Sequence, residues 1–315
     1  MKIGVIGAGA VGSACLLSLV TRGCAREVIV LDRDRGRARG VATDLHYGAV
    51  LYPFVDVHDG DYADLAGAAL VMITAGVNEK TGGATDRNDP LGRLRLLDKN
   101  VDVYGDILPK LFAVAPEAVV LVLTDPPDGL ADFVRTFGFP NVLSSGTFLD
   151  SLRFRFHLAG RLGVDPASVE ANVLGEHGKS QVFVWSSARV GGVPVFDAMQ
   201  RANCDRDELR RSIEQEVRDA NITIIEGIGA SQYGIGMVAA RIAEMVLRDE
   251  RAVLPIGSYN PEYGVTLSVP SVLGRTGVVQ ILAPDLSEEE RRALQRSAAT
   301  LKDAVERTHG KNVPA

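Results

Sequence analysis

One stretch restricts this chain more than any other: KIGVIGAGAVG, an apolar run from Lys2 that breaks into Gly7, Gly9 and Gly12 and resumes as a helical pattern from Val11 to Arg22. G-x-G-x-x-G spacing between a strand and a helix needs a tight turn, with backbone N–H groups and the positive end of a helix facing its occupant. That suits a pyrophosphate. A second apolar run, EVIVLD from Glu27, ends in Asp32, about 20 residues beyond Gly12, where an acid can accept from a ribose diol. Asp32 would also repel a 2′-phosphate, so the residues point to NAD rather than NADP, while Arg33 and Arg35 work against that discrimination. A glycine-rich turn closed by a solvated aspartate is the structural alternative.

ALVMITAG from Ala69 and AVVLVLTDP from Ala118 are further near-continuous apolar runs, the pattern of parallel strands covered on both faces. Helical stretches over Val11 to Arg22 and Arg93 to Val114 lie between the runs, which gives βαβ units and a doubly wound sheet. After about Gly146 the texture changes to a helical stretch from Phe148 to Leu162, then a histidine-bearing strand, VLGEHGKSQVFVW from Val173. A helical pattern from Glu208 to Leu247 follows, interrupted at Gly227 to Gly229, and then a charged amphipathic C-terminal stretch with Ser287 or Asp285 as its N-cap. With 315 residues, 46% of them hydrophobic, two packed units fit the length. The fold class is α/β: an N-terminal Rossmann-type doubly wound parallel sheet over 1–145 and a C-terminal α+β unit over 146–315.

The net charge of -6 offers no broad basic field, so nucleic acid is not an expected partner. Met1-Lys2-Ile3 enters a strand without a leader pattern, and no apolar run reaches spanning length, so a membrane is not expected either and the location is read as cytoplasmic. Cys15, Cys24 and Cys204 fit neither a disulfide framework nor a metal site and read as reduced thiols.

Within GTFLDSLRFRF, Asp150 and Arg153 are three apart, on one face if the segment is helical. With His177 they make an acid, a cation and a switchable proton carrier. A carboxylate holding one imidazole nitrogen raises the ring's pKa, and an arginine fork binds a carboxylate through two parallel bonds. A surface ion pair for Asp150 and Arg153 and a satisfied core histidine for His177 are the structural alternatives.

Taken together, GAGAVGS, ITAG, TDPPD, SSGTFLDSLRF, NVLGEHGKSQVFVWS and SQYGIG resemble the lactate/malate dehydrogenase family nearly end to end, with texture similar to its L-lactate and L-2-hydroxyisocaproate branches. The resemblance implies an NAD-dependent oxidoreductase, a homodimer or homotetramer, that interconverts an L-2-hydroxy acid and a 2-oxo acid by hydride transfer. It implies His177 as proton carrier, Asp150 as its orienting carboxylate, Arg153 as the substrate-carboxylate clamp, and Arg93 as the cation that polarises the carbonyl. Ser231 would line the substrate pocket. The dinucleotide would lie along Gly7, Gly9, Ala10, Val11, Gly12, Asp32, Thr74, Ala75, Gly76, Asn100, Thr124 and Ser145.

Three departures from the family pattern bear on the substrate. The segment AGVNEKTGGATDRNDPLGRLRLLDKN is longer than its family counterpart by roughly eight residues, as expected of a lid. The position that separates malate from lactate enzymes then falls on Glu79 counting from Gly76, or on Arg87 counting back from Arg93. Glu79 favours a monocarboxylate, whereas Arg87 would make a malate dehydrogenase. Finally, Asp125 stands where the family has asparagine: it turns away, is protonated, or meets a donor on an unusual substrate. Two other classes are weighed. A non-catalytic NAD sensor has no use for Asp150, Arg153 and His177 together, and an NAD-dependent glycosidase needs metal-ligating Cys and His positions.

Overall fold

A computed structural model describes residues 1–201 and 205–308, which leaves Cys204 outside the described residues. The first half alternates as β1 (Lys2–Ile6), α1 (Ala10–Arg22), β2 (Glu27–Leu31), α2 (Arg35–Ala49), β3 (Asp56–Asp59), β4 (Leu70–Ile73), α3 (Glu79–Gly82), α4 (Leu97–Val114), β5 (Val119–Val122), α5 (Pro127–Arg135) and β6 (Val142–Ser144). The apolar runs form strands because both faces of each are covered. In β4 and β5, Leu70, Met72, Val119 and Leu121 pack into one cluster with α1 and α2, while Val71, Ile73, Val120 and Val122 pack into another with α4 and α5.

The second half contains α6 (Phe148–Leu162), β7 (Val169–Leu174), β8 (Val182–Val190), β9 (Val193–Pro194), α7 (Val195–Arg201), α8 (Arg206–Ile228), α9 (Tyr233–Arg248), β10 (Ala252–Asn260), β11 (Val265–Gly274), β12 (Gly277–Ile281) and α10 (Glu288–Glu306). Sequence patterning gives α6 its observed ends and breaks the α8–α9 pair where Gly229 caps α8 in the left-handed region. Of the two candidate N-caps for α10, Ser287 is the one used, in a reciprocal capping box with Glu290.

Three expectations change. The helix placed at Arg93 begins as a 3₁₀ turn over Gly92–Leu96, with the α-helix starting at Leu97. His177 is not within a strand: it lies in the link between β7 and β8, where Gly175 takes φ +83 and a Cβ would meet Ser297 Oγ at 2.5 Å. And the second half does not build a wholly separate sheet. β10 to β12 extend the first one antiparallel in the order β12-β11-β10-β6-β5-β4-β1-β2-β3, joined at Gly257 opposite Ser144, while β7-β8-β9 form a small sheet of their own. Short edge pairings of this kind leave little periodic signal in a sequence.

Phe154 fastens α6 to the small sheet. Its buried ring meets Trp185 edge-on at 4.7 Å and Phe183 at 5.3 Å. Replacing it by alanine should cost about 3–5 kcal/mol in urea unfolding, the range for a large aromatic removed from a packed core; a loss under about 1 kcal/mol would mean that α6 is held by something else.

Candidate active site

The strand ends of the first half form the crevice in which an open α/β sheet receives a ligand. Gly7 has φ +108, and a Cβ there would press on Thr74 Oγ1 at 2.6 Å and Ala75 N at 2.7 Å; a Cβ on Gly12 would strike Gly7 O at 1.9 Å. By contrast, a Cβ on Gly9 would meet nothing within 4 Å, and α1, which starts at Ala10 and Val11, has no side-chain cap and no acid in its first turn. The helix end is therefore free to receive an anion. Asp32 is fixed beside it, accepting from Ala8 N at 2.8 Å and Asp34 N at 2.9 Å. One bond per oxygen leaves lone pairs for a diol. The turn fits a dinucleotide.

Thr74, Ala75, Gly76, Asn100 and Thr124 hold the strand ends together. Thr74 Oγ1 donates to Gly7 O at 2.9 Å, Thr124 Oγ1 to Ala75 O at 2.9 Å, and the buried Asn100 links Val77 N to Asp125 O through two bonds of 2.7 Å. Gly76 packs against Thr124 and Asn100. Ser145 is buried after β6, its N–H bonded to Val122 O.

At the far end of the crevice α6 and the β7–β8 link meet. His177 Nδ1 lies 2.5 Å from Asp150 Oδ2, and Arg153 Nη1 donates to Asp150 Oδ1 at 2.9 Å. Asp150, Arg153 and His177 thus form one contiguous group. On the other side of the ring, Nε2 is 3.9 Å from Asp125 Oδ1. Arg93 stands beside both, its Nη1 donating to His177 O at 3.4 Å; its Nε is 3.2 Å from Asp125 Oδ2 without the alignment of a hydrogen bond.

The two counting schemes for the specificity position part here. Glu79 faces the group: its carboxyl accepts from Asn221 Nδ2 at 3.3 Å and feels the Arg93 charge. Arg87 does not. Its guanidinium, 38% exposed, pairs with Glu226 at 2.5 Å and is 3.8 Å from Asp219, both on α8. The reason is charge: α8 presents acids to the inserted segment, and they capture the arginine. Ser231 is half-buried in the link between α8 and α9. Lys179 donates to Arg87 O at 2.7 Å and ties the inserted segment to the histidine link.

Electrostatics differ from expectation in one respect. Burial and the Arg93 charge hold His177 below the ordinary imidazole value, outweighing Asp150, so the ring is neutral in the free protein rather than raised. Asp150 is buried, which opposes ionisation, yet His177 and Arg153 keep its carboxyl well below the usual range. Burial, reinforced by Glu79, pushes Asp125 well above that range despite Arg93.

Sequence reasoning missed Asp128. At the start of α5, it accepts from His177 N at 2.8 Å and Ser144 Oγ at 2.5 Å, and burial pushes its carboxyl up to about 7. Its visible trace was only the closing Asp of TDPPD. Gly175 exchanges backbone bonds with Ser268, and Glu176 receives Ser180 N at 2.9 Å. The histidine link is thus anchored on both sides of the ring. Asp128→Ala removes both acceptors and leaves the His177 N–H without its partner, a loss of about 1–3 kcal/mol. Turnover should fall by about tenfold or more while NADH affinity, read by fluorescence, is unchanged; unchanged turnover would remove Asp128 from this role.

Two family models match the chain: lactate/malate dehydrogenase, NAD binding domain, over residues 1–141, and lactate/malate dehydrogenase, alpha/beta C-terminal domain, over residues 147–311. The chain is 44% identical over 305 residues to an L-lactate dehydrogenase of Deinococcus radiodurans, covering 96% of this chain and 97% of that one. It is 45% identical to an L-lactate dehydrogenase of Thermus aquaticus, covering 97% and 98%. Among solved structures, a lactate dehydrogenase from a Medee basin deep-sea metagenome library superimposes with a TM-score of 0.89 at 32% identity, covering 98% of each chain. The minor L-lactate dehydrogenase of Enterococcus mundtii, in a ligand-bound form, gives 0.88 at 31% identity over 97% of this chain and 98% of that one. On the strength of matched models over both halves and full-length relatives above 40% identity, the chain belongs to the lactate/malate dehydrogenase family.

Proposed function

We propose that this NAD-dependent 2-hydroxy acid dehydrogenase works on an L-2-hydroxy monocarboxylate and its 2-oxo acid, with His177 as the proton carrier. The observation that carries the reading is the 2.5 Å contact of His177 Nδ1 with the buried Asp150, which leaves Nε2 on the opposite side of the ring, 3.9 Å from Asp125 Oδ1. Residues 1–145 hold the dinucleotide and 146–315 supply the chemistry. Bound along Gly7, Gly9, Ala10, Val11, Gly12 and Asp32, with Thr74 to Gly76, Asn100, Thr124 and Ser145 behind, NAD supplies or takes the hydride. Arg153 receives the substrate carboxylate on the part of its fork not given to Asp150, and Ser231 lines the same pocket.

In oxidation, neutral His177 accepts the hydroxyl proton at Nε2 while Asp150 holds the hydrogen on Nδ1 and steadies the imidazolium that forms. In reduction the imidazolium returns that proton. A bound substrate carboxylate helps, because its negative charge offsets the Arg93 and Arg153 charges that hold the ring neutral in the free protein. Arg93 polarises the carbonyl, and its Nε, buried without a hydrogen bond, is a donor available to an oxygen on which charge develops.

Glu79 beside the site repels a second carboxylate, which supports a monocarboxylate over malate. Arg87, occupied by α8, offers no counter-charge. A homodimer or homotetramer is supported by the large apolar side chains exposed around the end of α2, Tyr47, Val50, Leu51 and Phe54. A cytoplasmic location is supported by the free, buried thiols of Cys15 and Cys24.

An NADH-oxidation screen over pyruvate, oxaloacetate, phenylpyruvate and branched 2-oxo acids should rank a monocarboxylate first, and Glu79→Gln should raise turnover of oxaloacetate. Oxaloacetate as the best substrate of the wild type would reverse the assignment. His177→Asn should lose about 10²–10⁴-fold in turnover while still binding NADH. Near-wild-type turnover in that variant would end the mechanism. Asp32→Ser should weaken the preference for NAD over NADP in kcat/KM; an unchanged ratio would assign discrimination elsewhere.

A further inference from the structure

Glu176, the residue before His177, is buried, and its carboxylate turns back on its own chain. Oε2 accepts from Ser180 N at 2.9 Å and from the Ser180 hydroxyl. Ser180 Oγ lies 3.0 Å from Ser297 Oγ, and Ser297 Oγ in turn accepts from Glu176 N at 2.9 Å. These bonds close a ring through Glu176, Ser180 and Ser297. A carboxylate oxygen only accepts, so the Ser180 hydrogen is committed to Glu176, and the Ser297 hydrogen is the one that fills the bond between the two hydroxyls. Every donor in the ring then has one acceptor. Ser297 belongs to α10 and is fully buried, with Gly175 packed so close that a Cβ there would stand 2.5 Å from Oγ. Two turns earlier on the same face of α10, Glu290 Oε1 accepts from Trp185 N at 2.8 Å and from Ser186 N at 3.0 Å. The helix therefore grips the chain at the start of the histidine link and again in β8, the strand that follows it.

We propose that Ser297 is a positioning residue for the reaction: by closing the ring with Glu176 and Ser180, helix α10 sets where the His177 imidazole stands against Asp150. The proposal rests on the reading of His177 as proton carrier. The peptide that joins Glu176 to His177 gives its N–H to Asp128 at 2.8 Å, and its carbonyl accepts from Gly178 N at 2.9 Å, so its plane is fixed. What remains to be fixed is Glu176 itself, and Ser297 holds its amide while Ser180 holds its carboxylate. Removing the Ser297 hydroxyl leaves a buried N–H without a partner and the Ser180 hydroxyl without its donor. The imidazole then loses its fixed place against Asp150, and a displacement of about 1 Å in a reacting group costs about 10²-fold in rate. The side-chain bonds of Ser297 go to neither the dinucleotide turn nor Arg153, so cofactor and substrate binding are spared.

The test compares Ser297→Ala with the wild-type full-length enzyme in the reduction of pyruvate by NADH. A displaced proton donor weakens the transition state alone, so kcat and kcat/KM should fall together by about 10–100-fold. KM for pyruvate and NADH affinity, read by fluorescence, should stay unchanged. Ser180→Ala opens the same ring from the link, leaves α10 untouched, and should give the same split. The double variant should lose no more than the worse single one, since both changes act through one network. Nitrogen-15 NMR of the histidine-labelled free protein reads the imidazole without turnover. The His177 signal, identified by its absence from His177→Asn, should shift toward a mixture of tautomers in both single variants. Unchanged kcat, an unchanged His177 signal, a loss carried by KM, or additive losses in the double variant would each overturn the proposal. If Ser297→Ala does not fold, Ser180→Ala decides alone by the same kcat, KM and NMR readings. Because the NMR signal needs no catalysis, failure of the His177 reading, seen as wild-type-like turnover of His177→Asn, is told apart from failure of the ring.

Discussion

The contact between His177 Nδ1 and Asp150 is the interaction on which the rest of the site depends, because it joins two segments 27 residues apart through a single shared hydrogen. Without Asp150, the ring could place its hydrogen on either nitrogen, and Nε2 would have no fixed state. Much of the surrounding structure holds that geometry. Ser151 Oγ accepts from Val173 N at 2.8 Å and sets α6 against β7; Gly175 pairs with Ser268; Asp128 takes the amide of His177 itself. Each bond comes from a different element, so the imidazole is positioned by α5, α6, β7 and β11 together.

Charge balance within the site explains its chemistry better than any one group. Arg93 and Arg153 face Asp125 and Asp150 within a largely buried space, where low dielectric strengthens every interaction. Burial, with the charges of the two arginines, keeps the free ring neutral, and a substrate carboxylate would shift that balance toward imidazolium.

What was legible in the sequence was local. Gly7, Gly12 and Asp32 lie within one βαβ unit, and Asp150 and Arg153 lie within one helical turn, so spacing alone carried their geometry. Asp128 to His177, Glu79 to Asn221 and Glu176 to Ser297 span 49, 142 and 121 residues, separations at which no periodicity survives. The inserted segment between Gly76 and Arg93 blurred the counting, and only the acids of α8 that hold Arg87 separate it from Glu79. The direction of the His177 shift was misjudged because the sequence shows its partner, Asp150, but not its burial or the approach of Arg93. β10 to β12 were hidden for a similar reason, since joining the sheet depends on one close approach of Gly257 to Ser144.

The central claim is that Asp150 fixes the hydrogen of a neutral His177 on Nδ1 and leaves Nε2 bare to take the substrate proton. Nitrogen-15 NMR of the histidine-labelled protein at neutral pH measures this directly. The account predicts a protonated Nδ1 and an unprotonated Nε2 for His177, with that tautomer losing its dominance in Asp150→Asn. A hydrogen on Nε2 in the wild-type free protein, or a tautomer unchanged by Asp150→Asn, would contradict it.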